Sequence, residues 1–154
     1  MKTKRNKEYK PKKVIINTMA FVKTGLTIAP ESQMITLKIK NHAAMNRLAN
    51  GMGTRDDWDT VIGAINMAQV MAEIGTGSEY REMILSASNA MRSVGKRYLK
   101  WDKFEFCGDE LTRVNDAIDV HEAQLDVCRV IDIERAADEV LRRIKNKINV
   151  TKVA

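Results

Sequence analysis

Cysteine, proline and aromatic residues are all scarce in this 154-residue chain. The two cysteines, Cys107 and Cys128, are too few for a disulfide framework, and a reducing, cytoplasmic setting is the expectation. The two prolines, Pro11 and Pro30, leave every long periodic segment uninterrupted. Aromatics are 5% of the residues, while there are nine methionines. A core of Leu, Ile, Val, Met and Ala suits packed helices better than sheets, which favour β-branched and aromatic residues. No run of 18 or more apolar residues exists, so the sequence contains no membrane-spanning helix. The basic N-terminus is not followed by a secretory apolar region, because Val14-Ile15-Ile16 is broken at once by Asn17 and Thr18. What is present is ample for one core, since a chain of this length buries roughly 70% of its unfolded surface.

The net charge of +6 is unevenly placed. Residues 1–13 carry Lys2, Lys4, Arg5, Lys7, Lys10, Lys12 and Lys13 against the single acid Glu8. Residues 142–154 carry Arg142, Arg143, Lys145, Lys147 and Lys152 with no acid. The ends therefore hold +6 and +5, which leaves −5 for the body between them. Basic ends on an acidic body suit contact with phosphates, and Tyr9 lies within the first cluster. Part of the second cluster has a structural reason as well, because cations complement the negative end of a helix.

Hydrophobic spacing predicts an all-α fold, an antiparallel bundle of four to five helices ending in a long C-terminal helix. Residues 1–13 lack apolar periodicity and read as a disordered basic tail, with a single helical domain over 14–154. Asn17 can cap a short helix ending near Gly25. Pro30 suits the first turn of the next helix, although Ile35-Thr36-Leu37-Lys38-Ile39 also alternates as a strand would. Thr54 is a good N-cap for a helix with Trp58, Val61, Ile62, Ile65 and Ala68 on its inner face. Ser78 can cap a helix running to Tyr98. Residues 101–108 read as an extended linker whose aromatic rings cover one end of the bundle. From Asp109 to about Ile148 the pattern stays helical, and Leu111, Val114, Ile118, His121, Leu125 and Cys128 keep a three-four rhythm. Asp132 and Arg135 take the next seam positions, so this stretch is one helix with a shifting face, or Asp132 caps a second helix after a kink.

Each candidate motif has a plainer reading that competes with it. His121-Glu122 opens a zinc-protease motif, but position 125 is Leu where the second histidine belongs. His121 and Cys128 are two helical turns apart, roughly 10 Å, which is too far for two ligands of one zinc. The plain reading is a histidine on the bundle seam, donating to a facing polar group. Cys107 precedes a helix start, where a thiol can be activated, but no histidine lies near it in sequence. Asp119, Glu122 and Asp126 line one helix face, with Asp116 nearby. No Glu-x-x-His accompanies them, so a solvated acidic face is the plain reading. Gly51-Met52-Gly53-Thr54 precedes a helix but lacks the lysine of a phosphate loop. No catalytic residue, metal ligand or cofactor follows from these motifs. The cationic residues of the two ends are the candidate nucleic-acid contacts.

The strings Lys-Ile-Lys-Asn-His-Ala-Ala-Met at 38–45, Gly-Thr-Arg-Asp-Asp-Trp-Asp-Thr at 53–60 and Leu-Thr-Arg-Val-Asn-Asp-Ala-Ile-Asp-Val-His-Glu-Ala-Gln-Leu at 111–125 resemble a family of small helical proteins from proteobacterial phage and prophage regions. The resemblance spans most of the chain and includes the Lys/Arg-rich start with a proline. None of its strings is a catalytic signature, and it transfers no functional residue. It implies a mobile-element gene acting in a bacterial cytoplasm. The expectation is a non-enzymatic accessory or regulatory protein that binds a protein partner of host or phage origin, with inhibition of a host defence system as one such role. A DNA- or RNA-binding protein using its basic ends is the alternative. The 111–128 seam also suits a homodimer.

Overall fold

The computed structural model describes residues 30–148, with side chains from Met34 onward. The basic tail 1–13 and the short helix expected near residues 17–25 lie outside the described residues. Five α-helices follow in order: α1 Pro30–Ala49, α2 Arg55–Glu73, α3 Arg81–Trp101, α4 Glu110–Val127 and α5 Val130–Asn146. A single 3-10 turn, Ser78–Tyr80, precedes α3, so the chain winds tightly there before the α-helix proper begins at Arg81.

Helix α2 is the hub, and every other helix packs against it. Its start follows from local chemistry. Asp57 N–H donates to the Thr54 hydroxyl, and Thr54 N–H donates to Asp57 Oδ2 at 2.9 Å, closing a reciprocal cap. Arg47 at the end of α1 reaches the same carboxylate, its Nε 2.9 Å from Asp57 Oδ1, and this pair fixes the α1–α2 corner. The arginine holds the Asp57 carboxyl below the usual carboxylate range. Gly75, with φ of 110°, takes the backbone out of α2 in a conformation that L side chains rarely adopt.

Helix α1 settles the strand-or-helix ambiguity of residues 35–39. Ile35 and Ile39, four apart, are both exposed, while Asn41, Ala44, Met45 and Leu48 face the core. Two apolar clusters result. The larger joins α1, α2, α3 and α4 around Trp58, whose indole N–H donates to the Met91 carbonyl at 3.1 Å. The smaller lies under α5, where Ile133, Ala136, Ala137 and Val140 meet Met67, Val70 and Met71 of α2.

The long C-terminal helix expected over 109–148 is instead two helices. Cys128 and Arg129 are both extended, with ψ of 145° and 150°. The break falls where the seam runs out: Asp132 and Arg135 cannot continue the apolar line begun at Leu111. α5 restarts with a new buried face through Ile133 and Val140, and Asp132 sits in its first turn rather than at its cap. The 101–108 linker is non-helical after Trp101, and only part of its aromatic set is inside. Phe104 is buried and stacks on Tyr98 at 4.1 Å, whereas Trp101 is exposed.

Candidate functional site

The cationic candidates divide by location. Lys2, Lys4, Arg5, Lys7, Lys10, Lys12 and Lys13 lie outside the described residues. At the other end, Arg143 is a structural clamp. Its Nε donates to Glu139 Oε1 at 2.7 Å and its Nη1 to Glu73 Oε1 at 3.2 Å, tying α5 to the end of α2. Arg142 donates to the same Glu139 at 2.7 Å. Between these two guanidinium groups the Glu139 carboxyl is pulled down to about 2. Lys145 and Lys147 are exposed at the end of α5.

The acidic line on α4 staples that helix to α1 rather than simply facing solvent. Glu122 Oε1 lies 2.7 Å from His42 Nε2, and Asp126 Oδ1 lies 2.7 Å from Lys38 Nζ. Asp116 and Asp119 stay exposed. Among the described residues no group of three His, Cys, Asp or Glu is arranged to hold a metal ion. Cys107 is exposed, and its backbone N–H donates to Glu110 Oε2 at 2.8 Å, which also holds Arg97. Cys128 is half-buried against Thr76, and burial raises its thiol pKa. The two thiols therefore sit in separate parts of the fold, without a shared base.

His121 lies on the seam as its position implies, and the polar group beside it is the Gln124 amide. The residue is 2% exposed, and Nδ1 has no hydrogen-bond partner. Burial pushes its pKa down to about 4, with the Lys38 charge adding to the effect. The Gln124 amide lies near enough to oppose that shift, yet no hydrogen bond of normal geometry joins the two. The Gln124 amide nitrogen is used elsewhere, donating to the Ala68 and Thr76 carbonyls at 3.0 and 2.8 Å. Asn41 of α1, 1% exposed, also has an amide nitrogen without an acceptor.

Asn41 and His121 share a cavity of about 290 Å³. It exists because α1 and α5 both rest on α2 without packing substantially on each other. Met34 and Leu37 form one wall, Val140 and Ile144 the other, and Gly63 lies in the floor. Lys40 and Asp59 line it from exposed positions, and apolar surroundings raise the Asp59 carboxyl pKa. Of its polar residues only His121 is singled out by the sequence, and there as a seam residue; neither the gap nor Asn41 is. A glycine in the middle of an otherwise strong helix was an available signal.

A second surface feature lies where α1 begins and α4 gives way to α5. Ile35, Ile39, Val127 and Ile131 are between 48% and 75% exposed there. The Lys38–Asp126 pair ties the two segments together between them. Among the described residues no helix is long and apolar enough to cross a membrane. Compared with protein families, with curated proteins and with solved structures, the chain matches none.

Proposed function

We propose that the chain acts by binding a protein partner and catalyses no reaction. The observation that carries this reading is the aliphatic patch of Ile35, Ile39, Val127 and Ile131. Single exposed apolar side chains are ordinary, but a group of four β-branched residues on two adjoining segments has the character of an interface centre. The Lys38–Asp126 pair and exposed His42 supply a polar rim beside it. The setting implied by the phage resemblance makes the partner a host or phage protein, and a second copy of the chain satisfies the same chemistry.

The test compares the native chain with an Ile39→Asp/Val127→Asp variant whose helicity and melting temperature are checked first. Both positions are exposed, so the fold should survive. Cross-linking in a phage-bearing bacterial host, with light scattering on the purified chain, should give a complex or a dimer for the native protein and neither for the variant. A native chain that stays monomeric at millimolar concentration and cross-links to nothing, or a complex that the variant retains, removes the reading. Exposed Lys145 and Lys147 at the end of α5 favour nucleic-acid binding as a second reading.

A further inference from the structure

The cavity between α1 and α5 is independent of the aliphatic patch and carries its own chemistry. Two glycines in the helices show that it is not a casual packing gap. At Gly95 of α3 an added Cβ would lie 3.1 Å from the Trp58 ring, so close packing accounts for that glycine. At Gly63 of α2 an added Cβ would meet nothing within 4 Å. Glycine weakens a helix interior relative to alanine, and no neighbour requires it here. Its effect is to leave the cavity floor low.

The polar content of the cavity specifies what fits. Its walls are apolar: Met34 and Leu37 on one side, Val140 and Ile144 on the other. At the buried end stand Asn41 and His121, at 1% and 2% exposure, with Asn41 Nδ2 and His121 Nδ1 lacking partners. A buried donor without an acceptor is costly, and most such groups in folded proteins are satisfied. Burial keeps the imidazole neutral at physiological pH. The buried end therefore offers an amide donor and an uncharged ring, and no charge to pair an ion. The two charged lining residues, Lys40 and Asp59, are of opposite sign and lie at exposed positions. An ionised head would be buried unpaired, whereas a neutral carbonyl would accept from Asn41 without that penalty. A volume of 290 Å³ falls at the lower edge of small-molecule sites.

We propose that this cavity is a binding site for a small uncharged amphiphile, an aliphatic chain ending in an amide or similar carbonyl group. The chain lies between α1 and α5 over Gly63, and the carbonyl oxygen accepts a hydrogen bond from Asn41 Nδ2. A bound molecule fills the space where α1 and α5 fail to meet, and so ties α5 more firmly to the bundle.

Octanamide serves as the probe on the full chain, followed by calorimetry and thermal melting, with octanoate and butanamide as comparisons at neutral pH. Octanamide should bind saturably at one per chain and raise the melting temperature. Octanoate and butanamide should each bind about tenfold or more weakly. Gly63→Leu should abolish binding. Gly63→Ala, which adds one methyl group into open space, should leave the fold intact and weaken binding several-fold. Asn41→Leu should bring octanamide and octanol to within about twofold of each other. No saturable binding at millimolar octanamide overturns the proposal, as does binding that Gly63→Ala and Gly63→Leu both leave unchanged. A Gly63 variant that alters oligomeric state while octanamide has no effect on the native chain assigns the cavity to a macromolecule and equally overturns it. These outcomes are separate from the patch test, because neither Ile39 nor Val127 lines the cavity.

Discussion

His121 shows how one side chain links burial to pH. Its imidazole titrates near 4 in the fold, against about 6.5 when exposed in the unfolded chain. The unfolded state therefore binds the proton first as pH falls. Stability from the neutral ring is complete above pH 6.5 and declines toward pH 4, by an amount of order 3 kcal/mol. Denaturant titrations across that window should show this slope in the native chain, and His121→Gln should flatten it. A native chain equally stable at pH 6.5 and pH 4.5 would contradict the burial argument. Thr54 offers a second residue-scale test. Replacing it with alanine removes the oxygen that accepts from Asp57 N–H, and should cost about 1 kcal/mol, or a few degrees of melting temperature. Thr54 was legible as a cap because its type and spacing act locally. The unmade hydrogen bond at His121 Nδ1 was not legible, because it depends on where Gln124 turns in three dimensions.

Among the elements, α5 is the one held most lightly. Its main packing is on α2, and much of its apolar surface at Leu141 and Ile144 stays exposed. Arg143 supplies the tie at its far end, through Glu73 and Glu139. Amide hydrogen exchange should be fastest in α5 among the five helices. Arg143→Ala should speed it further and lower stability by about 1 kcal/mol, with the difference shrinking at high salt. Protection of α5 equal to that of α2 would contradict this light hold. The start of α2 was readable from sequence, because Thr54 caps it through its own hydroxyl. The break at Cys128 was readable only as one of two outcomes. Periodicity reports that a face shifts, but whether the backbone bends is decided by what the shifted face packs against.

At the scale of the whole molecule, charge layout and cavity were unequally visible. The basic ends and acidic body follow from the sequence alone, and so does a nucleic-acid test. If the ends bind phosphates, removing residues 1–13 should weaken DNA or RNA binding and flatten its dependence on salt. Absence of binding by the intact chain at low salt would end that reading. The structure qualifies the other cluster, since Arg142 and Arg143 already hold Glu139. A Lys145→Ala/Lys147→Ala change is therefore the cleaner probe of that end. The cavity was hidden because it is a gap between two helices far apart in sequence. Gly63 was a trace of it in the chain, and a lone glycine has many meanings until its surroundings are known.

The two tryptophans make this fold its own optical reporter. Trp58 is 1% exposed and bonded to the Met91 carbonyl, while Trp101 is 58% exposed beside Lys100. Indole emission shifts to longer wavelength in water, so the native spectrum should be a sum of a blue component and a red one. Iodide or acrylamide should quench the red component first and leave the blue one nearly untouched. A Trp101→Phe chain would then isolate Trp58, whose emission follows the α2–α3 contact alone. Comparing that signal with the loss of helicity would tell whether the bundle comes apart in a single transition.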